Sequence, residues 1–298
     1  MKDTVCIIGY GSIGNRHHNI LKKFFKKNQI YIITNRPNIT NSYQKVSSLK
    51  KLDPKYIFVC NETSKHYDTL KYIDNNFKNK IVFIEKPLFE KFLNYKPSNN
   101  KYFVGYNMRF NPILTDVKNY IKSKKIYSVD VICASYLPNW RKNRDYRNTY
   151  SASKKKGGGV LLDLSHEFDY IKWIFGEFNI IYSYVNKISN FEISSEDYAS
   201  IFLKTKNNIN INVTLNYFSK INKREILING KNFSLSVDLI NKKTITFLNR
   251  SILKKYYFDI NKSYKLQIED LIKNQYKICS YKEALNLMGI IDKMRNKL

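Results

Sequence analysis

The sequence predicts an α/β N-terminal domain with a parallel sheet, followed by an α+β C-terminal domain with a large, mostly antiparallel sheet. First, a glycine turn joins a short apolar strand to a helix within the first 18 residues. Second, apolar runs alternate with amphipathic segments up to about residue 105, the pattern of a parallel sheet covered on both faces. Third, apolar and polar residues partly alternate in short runs beyond Gly176, which is typical of an antiparallel sheet. We therefore place one domain at 1–107 and a second at 108–298.

The first strand, 4–8, runs directly into a glycine-rich turn that opens a helix over about 14–27. In a strand–turn–helix of the form G-x-G-x-x-G, the first glycine permits the turn and the second lets the backbone approach a pyrophosphate. The third glycine lets the helix pack on the strand. The helix N-terminus adds free N–H groups and a positive dipole end. We expect this turn to bind a dinucleotide phosphate through Gly9, Gly11, Ser12, Ile13 and Gly14, although a plain strand-to-helix turn would use the same glycines.

The rest of the first domain repeats the alternation of strand and helix. We predict a helix over about 64–76 and further strands at 30–33, 56–60, 80–84 and 102–104. Placed after the glycine turn, these elements indicate a Rossmann-type domain.

The second domain starts with a helix over about 113–123, a long segment at 126–137 and an irregular stretch at 138–156. Three consecutive glycines then lead into a helix over about 164–175. Strand-like runs follow, and two helices close the chain, over about 263–275 and 281–297. The predicted strands are 179–188, 197–205, 209–218, 224–229, 233–239 and 243–248.

Composition narrows the class of protein. Hydrophobic residues make up 43% of the chain, which supports a packed core, and no run offers the roughly 18 apolar residues of a membrane span. The four cysteines stand far apart in the sequence and form no C-x-x-C pair, so we expect buried thiols, as in a reducing compartment. No signal peptide precedes the first strand, and we therefore expect a cytoplasmic location. The net charge of +28 comes from lysines spread along the chain, as A/T-rich codons would produce. We predict no nucleic-acid or membrane partner, but a positive field that attracts anionic ligands.

The end of the second strand bears on the choice between NAD and NADP. An acidic residue about 20 positions after the glycines usually binds the ribose 2′-hydroxyl of NAD. Here the chain reads Thr34-Asn35-Arg36-Pro37, without an acid. Arg36, with Asn35 beside it, is suited to a 2′-phosphate, so the sequence favours NADP over NAD. A solvated arginine in a turn is the alternative.

Polar residues follow the third and fourth strands, where an open α/β sheet binds its ligands. Asn61, Thr63 and His66 follow the third strand, and we expect them to line the cofactor, although His66 would equally suit a packed position. Glu85 and Lys86 follow the fourth strand and precede a proline. A lysine held there could stabilise an alkoxide, whereas elsewhere in this chain it would simply be exposed.

The densest group of polar residues follows Gly157-Gly158-Gly159. In the helix that follows, Asp163, His166 and Tyr170 fall at i, i+3 and i+7 and share a face, and Asp169 can orient His166. An aspartate and a histidine on one face suit general acid–base chemistry. The alternative is a helix-capping aspartate and a packed histidine. No third ligand stands at a metal spacing, and we predict no metal.

Taken together, these motifs resemble the Gfo/Idh/MocA oxidoreductases, the family of glucose–fructose oxidoreductase and inositol dehydrogenase. The residues that carry the resemblance are Gly9-x-Gly11-x-x-Gly14 with Arg16-His17, Asn61-x-Thr63-x-x-His66, Glu85-Lys86-Pro87, Gly105 to Pro112, and Gly157-Gly158-Gly159 with Asp163-x-x-His166-x-x-Asp169. The resemblance implies hydride transfer between a nicotinamide and a sugar or polyol carbon. It makes His166 the group that exchanges the substrate proton, with Lys86 and Asp163 orienting the substrate and stabilising charge. It also places Asn107 and Arg109 beside the substrate, and implies a homo-oligomer, a dimer or tetramer.

Some residues depart from the family pattern. The stretch from Pro87 to Tyr102 is short for the helix usually found there, and Ser165 replaces a common glycine. The segment 136–147 looks like a subgroup of bacterial surface-glycan enzymes. Its Trp140 and Arg141 offer an apolar face and an anion-binding fork, which favours an acidic or nucleotide-linked sugar. A redox-neutral sugar-modifying enzyme and a catalytically silent dinucleotide-binding protein remain alternatives.

Overall fold

The computed structural model describes residues 3–141 and 143–296, with the side chain of residue 296 left out. The strands are β1 (Val5–Ile8), β2 (Ile30–Ile33), β3 (Ser42–Tyr43), β4 (Tyr56–Val59), β5 (Ile81–Ile84), β6 (Lys101–Val104), β7 (Ile126–Tyr136), β8 (Phe178–Asn186), β9 (Tyr198–Thr205), β10 (Asn210–Asn216), β11 (Phe218–Gly230), β12 (Phe233–Asp238), β13 (Lys243–Phe247), β14 (Ser251–Lys255) and β15 (Cys279–Ser280). The α-helices are α1 (Ser12–Leu21), α2 (Leu49–Leu52), α3 (His66–Asn76), α4 (Pro112–Ile121), α5 (Val160–Asp163), α6 (His166–Phe175), α7 (Lys262–Lys273) and α8 (Tyr281–Asn296).

The chain divides into two compact units. One comprises Met1–Asn107 and Tyr264–Met288, the other Met108–Ser263 and Gly289–Leu298. Residues 264–288 thus cluster with the first unit, although the sequence boundary would place them in the second. Ile268 and Leu271 of α7 are fully buried, and β15 adds to the edge of the first sheet by pairing antiparallel with β6.

The first unit is built on a seven-stranded sheet in the order β15-β6-β5-β4-β1-β2-β3. Its strands pair in parallel except at β15. Every residue of β1, β4 and β5 is buried, because helices cover both faces of such a sheet and leave no solvated side. The predicted Rossmann-type architecture is confirmed.

The second unit is built on an eight-stranded sheet in the order β14-β13-β12-β11-β7-β10-β9-β8. All of its pairs are antiparallel except β7 with β10. Burial alternates with a period of two along β9 and β10, as predicted for one covered face. Strand β14 carries no such signal because all five of its residues are exposed, and the sequence did not predict it.

Two predicted helices differ from the structure. Helix α1 ends at Leu21, short of the predicted Lys27. The predicted helix over 164–175 is preceded by the short helix α5, and the chain breaks at Leu164, whose φ of −100° and ψ of 23° are not helical. Ser165 caps this break, since its Oγ donates to the Leu162 carbonyl at 2.8 Å. The prediction that Asp163, His166 and Tyr170 share the face of one helix is therefore wrong.

Residues 85–100, all of them described, contain no helix. Leu88 and Phe89 in this segment are fully buried, so the shortened stretch noted in the sequence crosses the unit as packed, irregular chain. Among the helices that the structure describes, none has both the length and the apolar character needed to cross a membrane.

Candidate active site

The glycine turn after β1 has the geometry of a phosphate cradle. Gly9 has a φ of +92°, and a Cβ there would lie 2.5 Å from the backbone nitrogen of Asn61. A Cβ on Gly14 would lie 2.1 Å from the Gly9 carbonyl oxygen, so this glycine lets α1 pack against the turn. A Cβ on Gly11, in contrast, would meet nothing within 4 Å. The open space lies where a pyrophosphate would approach the backbone, as predicted for the second glycine.

The start of α1 supplies the donors for such an anion. Gly11 is its N-cap, without a side-chain cap, and the first turn carries no acidic residue. The backbone N–H groups of this turn therefore have no intrahelical acceptor. Ser12 and Ile13 thus lie where a dinucleotide phosphate would be bound, and the residues present fit that group.

The second and third glycines of the motif give a test that separates folding from binding. We expect Gly14→Ala to destabilise the protein by about 1–3 kcal/mol, because the new methyl group must displace backbone. We expect Gly11→Ala to leave the melting temperature nearly unchanged but to raise the Kd for cofactor at least about tenfold, because the methyl group fills the approach path. Thermal unfolding and cofactor fluorescence titration measure the two effects. Normal binding by a well-folded Gly11→Ala variant would contradict this placement of the pyrophosphate.

The end of β2 lies in an exposed turn. Arg36 is exposed, and its backbone N–H donates to Thr34 Oγ1 at 3.2 Å. Tyr10, within the glycine turn, is close enough to Arg36 for the arginine charge to lower its pKa, which partial burial raises by more. Arg36 and the glycine turn therefore belong to one side of the first unit, and Asn35 is exposed beside them.

The residues after β4 are held by both side-chain and backbone contacts. Asn61 Nδ2 donates to Thr69 Oγ1 at 2.9 Å, while its Oδ1 is buried with no hydrogen-bond partner among the described residues. An orphaned buried acceptor of this kind fits a ligand hydroxyl or amide. Thr63 is half-buried in the turn before α3.

His66 has partners within the fold. It is 1% exposed, and its two ring nitrogens lie 3.1 Å from the Leu88 carbonyl oxygen and 3.2 Å from the Asn61 carbonyl oxygen. Burial lowers its pKa, so the ring is neutral at physiological pH.

Glu85 and Lys86 follow β5. The Glu85 side chain is buried, with Oε1 2.5 Å from His17 Nε2 and Oε2 accepting from the Lys86 backbone N–H at 3.2 Å. Lys86 is half-buried. Glu85, predicted as a cofactor ligand, thus also joins α1 to the backbone of Lys86.

In the second unit, Asp163 lies at the end of α5 and is 5% exposed. Its Oδ2 accepts a hydrogen bond from the Tyr217 hydroxyl at 2.5 Å. Burial and the Asp163 charge together raise the pKa of Tyr217 far above its usual value. The Asp163 charge and a hydrogen bond to it, with burial, also raise the pKa of Tyr150. Both phenols therefore stay protonated and act as donors to this carboxylate.

The two substrate-binding candidates from 136–147 pack on these tyrosines. The Trp140 ring meets Tyr217 edge-on, with centroids 5.0 Å apart, and its Nε1 donates to Ser135 Oγ at 2.9 Å. The Arg141 guanidinium carbon lies 5.3 Å from the centroid of the Tyr150 ring. The structure thus brings Trp140, Arg141 and Asp163 together through two tyrosines.

Arg109 and Asp169 form a buried ion pair in the same unit. The guanidinium donates from Nε and Nη2 to the carboxylate at 2.8–3.2 Å, and both residues are nearly inaccessible. The sequence predicts that Asp169 orients His166; in the structure its carboxylate accepts hydrogen bonds from the Arg109 guanidinium. His166 begins α6 and is half-buried, and Asn107, the last residue before the boundary between the units, is 5% exposed.

The glycines at 157–159 make room for neighbouring segments of this unit. A Cβ on Gly158 would lie 2.3 Å from the Tyr150 carbonyl oxygen, and one on Gly159 would lie 2.3 Å from the Glu196 carboxylate. The Glu196 carboxylate also receives Arg295 at 2.6 Å. The close approach that these glycines allow therefore brings Tyr150 and Glu196 against the start of α5.

Three residues that contact the candidate site residues received no predicted role from the sequence. Tyr150 and Tyr217 lie among many tyrosines, and the chain pattern does not distinguish them; only the position of Tyr217 directly after β10 could have drawn notice. His17 stood out as part of the resemblance but received no role. In the described part of the chain, no group of three histidine, cysteine or acidic side chains is placed to hold a metal ion.

The fold of the first unit and its glycine cradle define a class of dinucleotide-binding proteins. Comparison with family models agrees: residues 4–96 match the oxidoreductase family with an NAD-binding Rossmann fold, and residues 114–236 match the GFO/IDH/MocA C-terminal domain. The chain belongs to the Gfo/Idh/MocA family of oxidoreductases. A comparison with curated protein sequences found no match.

Solved structures with the same fold include three dehydrogenases. Levoglucosan dehydrogenase, in complex with NADH, has a TM-score of 0.83 and 15% identity, covering 100% of this chain and 97% of the other. The WlbA dehydrogenase from Bordetella pertussis, in complex with NADH and UDP-GlcNAcA, has a TM-score of 0.77 and 15% identity, with coverage of 100% and 96%. The dehydrogenase MviM from Clostridium difficile has a TM-score of 0.77 and 21% identity, with full coverage of both chains. Because the sequence identities are 15–21%, these similarities show a shared fold and nothing about the substrate.

Proposed function

We propose that this protein is an NAD(P)-dependent sugar dehydrogenase or reductase. It would transfer a hydride between the nicotinamide and a carbon of a sugar, polyol, or acidic or nucleotide-linked sugar derivative. The observation that carries the proposal is the presence, within an oxidoreductase family, of the complete set Lys86, Asp163 and His166. A protein that binds the dinucleotide only for structure has no need of all three.

Each of these residues has a distinct part in the proposed reaction. The nicotinamide, when bound, supplies the hydride acceptor or donor. His166 takes the proton from the substrate hydroxyl during oxidation and returns it during reduction. The Lys86 ammonium stabilises the negative charge that develops on the reacting oxygen. Asp163, which already accepts hydrogen bonds from the Tyr217 and Tyr150 hydroxyls, also accepts hydrogen bonds from the substrate and orients it.

We propose NADP as the preferred cofactor. The turn after β2 has no acidic residue for a ribose 2′-hydroxyl, and Arg36 is exposed there as a free fork for a phosphate. Levoglucosan dehydrogenase and WlbA were solved with NADH, so this preference would set the chain apart from those two proteins.

We expect Arg36→Ala to weaken NADPH binding about tenfold while NADH binding changes less than about twofold, because only the 2′-phosphate meets the guanidinium. Fluorescence titration of both cofactors measures the effect. Arg250→Ala, an exposed arginine between β13 and β14, removes the same charge elsewhere and controls for the general positive field. Equal weakening of both cofactors by Arg36→Ala, or none of either, would contradict the assignment.

We propose an acidic or nucleotide-linked sugar as the substrate class. Trp140, 36% exposed, presents an apolar ring face, and the exposed Arg141 lies next to it. Both are tied through tyrosines to Asp163, which supports a role at the reacting sugar. The positive net charge also favours an anionic substrate.

A panel assay tests the proposed function. Purified protein with NADP or NAD is offered neutral sugars, polyols, hexuronic acids and UDP-linked sugars, and the reduced-nicotinamide absorbance is followed. We expect the highest kcat/KM among the anionic sugars. Bound cofactor with no absorbance change and no new product across the panel would support the catalytically silent alternative. A new sugar product without net absorbance change would identify a redox-neutral cycle.

We also propose a homo-oligomer, a dimer or tetramer, and a cytoplasmic location. The second sheet exposes large apolar side chains, among them Tyr182 of β8, Leu227 of β11, and Ile245 and Phe247 of β13. Such side chains support a partner on this sheet. All four cysteines are buried and lie outside disulfide bonds, which suits a reducing compartment.

A further inference from the structure

Two buried histidines face the segment that carries Lys86. The chain has only four histidines, and His17 and His66 are 0% and 1% exposed. Burying an imidazole costs free energy unless its nitrogens find hydrogen-bond partners. His66 finds such partners for both ring nitrogens and His17 for Nε2 alone, since His17 Nδ1 has no hydrogen-bond partner among the described residues. Each ring has a partner within residues 85–88, beside the carboxyl ends of the neighbouring strands β1, β4 and β5.

His17 reaches this segment through Glu85. Its Nε2 lies 2.5 Å from Glu85 Oε1, and the other carboxylate oxygen accepts the backbone N–H of Lys86 at 3.2 Å. One carboxylate therefore links α1 to the peptide group of Lys86. The phenyl rings of Phe58 and Phe83 enclose the imidazole, with centroids 5.5 and 5.1 Å away.

The space around this carboxylate is closed on further sides. The Tyr264 ring of α7 lies 5.9 Å from the His17 ring. A Cβ on Gly105 would lie 3.2 Å from Glu85 Oε1. Because the pair is packed in this way, the Glu85 carboxylate has little freedom to leave either of its partners.

His66 holds the same segment from the other side of Lys86. One ring nitrogen contacts the Leu88 carbonyl oxygen at 3.1 Å, and the other contacts the Asn61 carbonyl oxygen at 3.2 Å. Since burial keeps the ring neutral, it donates one hydrogen bond at a time. One tautomer donates to the Leu88 carbonyl, in the chain that follows β5, and the other donates to the Asn61 carbonyl, after the end of β4, while the ring stays packed between the two segments.

We propose that His17, with Glu85, and His66 are positioning residues for Lys86. The His17 contact holds Glu85, the residue before Lys86, and Glu85 in turn accepts the backbone N–H of Lys86. The His66 contact involves the carbonyl of Leu88, two residues after Lys86. Backbone held at both sides fixes the direction in which the lysine side chain leaves the chain, and catalytic geometry is sensitive to errors of about 1 Å. The proposal rests on the proposed function of Lys86 and deepens it.

A purely structural role makes different predictions. If the histidines only fill the core, then their loss lowers stability and the fraction of folded protein, but kcat per bound cofactor stays normal. If they position Lys86, then kcat falls in molecules that still bind cofactor normally, and the backbone at Lys86 becomes looser.

Two variants of His17 separate these cases. His17→Leu removes the donor to Glu85, whereas His17→Gln keeps an N–H near the position of Nε2. Tyr102→Phe is the matched control, because it removes another buried hydrogen bond to a carboxylate in the same unit, from Tyr102 to Asp74 at 2.6 Å. Tyr102 lies in β6, away from residues 85–88 in the sequence.

The measurements are amide hydrogen exchange in the peptide that contains Lys86, cofactor Kd by fluorescence, and kcat and KM with the best sugar of the panel. For His17→Leu we expect exchange in this peptide to rise about tenfold or more and kcat to fall about 10- to 100-fold, with cofactor Kd within about threefold of wild type. His17→Gln should recover most of kcat. Tyr102→Phe should lower the melting temperature while kcat and the exchange of the Lys86 peptide stay near wild type.

Two results would overturn the inference: unchanged exchange of the Lys86 peptide in His17→Leu, or equal losses of kcat in His17→Leu and Tyr102→Phe. A wild-type protein without turnover on any sugar would be a failure of the proposed function instead. The exchange comparison needs no substrate, so it still decides whether His17 fixes the backbone at Lys86.

Discussion

Replacing Lys86 by methionine should lower kcat by about 100- to 1,000-fold, because the variant loses the ammonium that stabilises charge on the reacting oxygen. Methionine keeps a long, unbranched side chain, so the packing around the half-buried position changes little. Cofactor Kd and the melting temperature should remain near wild type. Steady-state kinetics, cofactor titration and thermal unfolding give the three readouts.

Lys91→Met is the control for the Lys86 experiment. Lys91 is exposed and lies five residues further along the same irregular segment. Its replacement by methionine removes the same charge as Lys86→Met does. We expect its kcat to match the wild type. If Lys86→Met also kept most of its turnover, or if both variants lost it equally, then Lys86 would not be the residue that stabilises the reacting oxygen.

His166→Asn should lower kcat by about 100- to 10,000-fold, because it removes the group that exchanges the substrate proton. The pH dependence has a definite sign. A histidine that accepts a proton during oxidation must be neutral, so the wild-type oxidation rate should fall as the medium becomes more acidic. The residual activity of His166→Asn should lack this acidic limb. Initial rates across pH, with cofactor saturating, measure the effect.

His18→Gln serves as the histidine control for the pH profile. His18 lies on α1, with its ring nitrogen 2.6 Å from the Tyr10 hydroxyl, and burial followed by the Lys22 charge lowers its pKa. Its loss should leave the acidic limb of the oxidation rate in place. If the acidic limb of the oxidation rate persisted in His166→Asn but disappeared in His18→Gln, then His166 would not be the residue that exchanges the substrate proton.

Much of the fold could be predicted because the strands of the first unit are short, apolar and buried on both faces. Runs such as Ile81–Ile84 have no other plausible place than the centre of a covered sheet. The predicted turn at Gly9 and the predicted close packing at Gly14 agree with the structure, because a Cβ at either position would collide with backbone, whereas phosphate binding at Gly11 stays a prediction. Strand β14 could not, because an exposed strand shows no periodicity.

The candidate site could be predicted in part. Lys86, Asp163 and His166 belong to ordered motifs, whereas the partners of Asp163 come from distant parts of the chain. Tyr217 lies 54 residues from Asp163, and only the folded second unit brings them together. The helix break at Leu164 depends on local backbone angles and on a serine that hydrogen-bonds to a carbonyl, and the helical period of the sequence continues through it.

The central claim is that this chain transfers a hydride between a nicotinamide and a sugar carbon. The most direct measurement incubates the protein with the keto form of the best sugar and with reduced cofactor deuterated at the transferring position of the nicotinamide. Mass spectrometry of the sugar product then shows where the label goes. We expect one deuterium on the reduced sugar carbon, and formation of this labelled product by Lys86→Met that is about 100- to 1,000-fold slower. A sugar product without deuterium, or deuterium retained entirely on the cofactor, would contradict the claim.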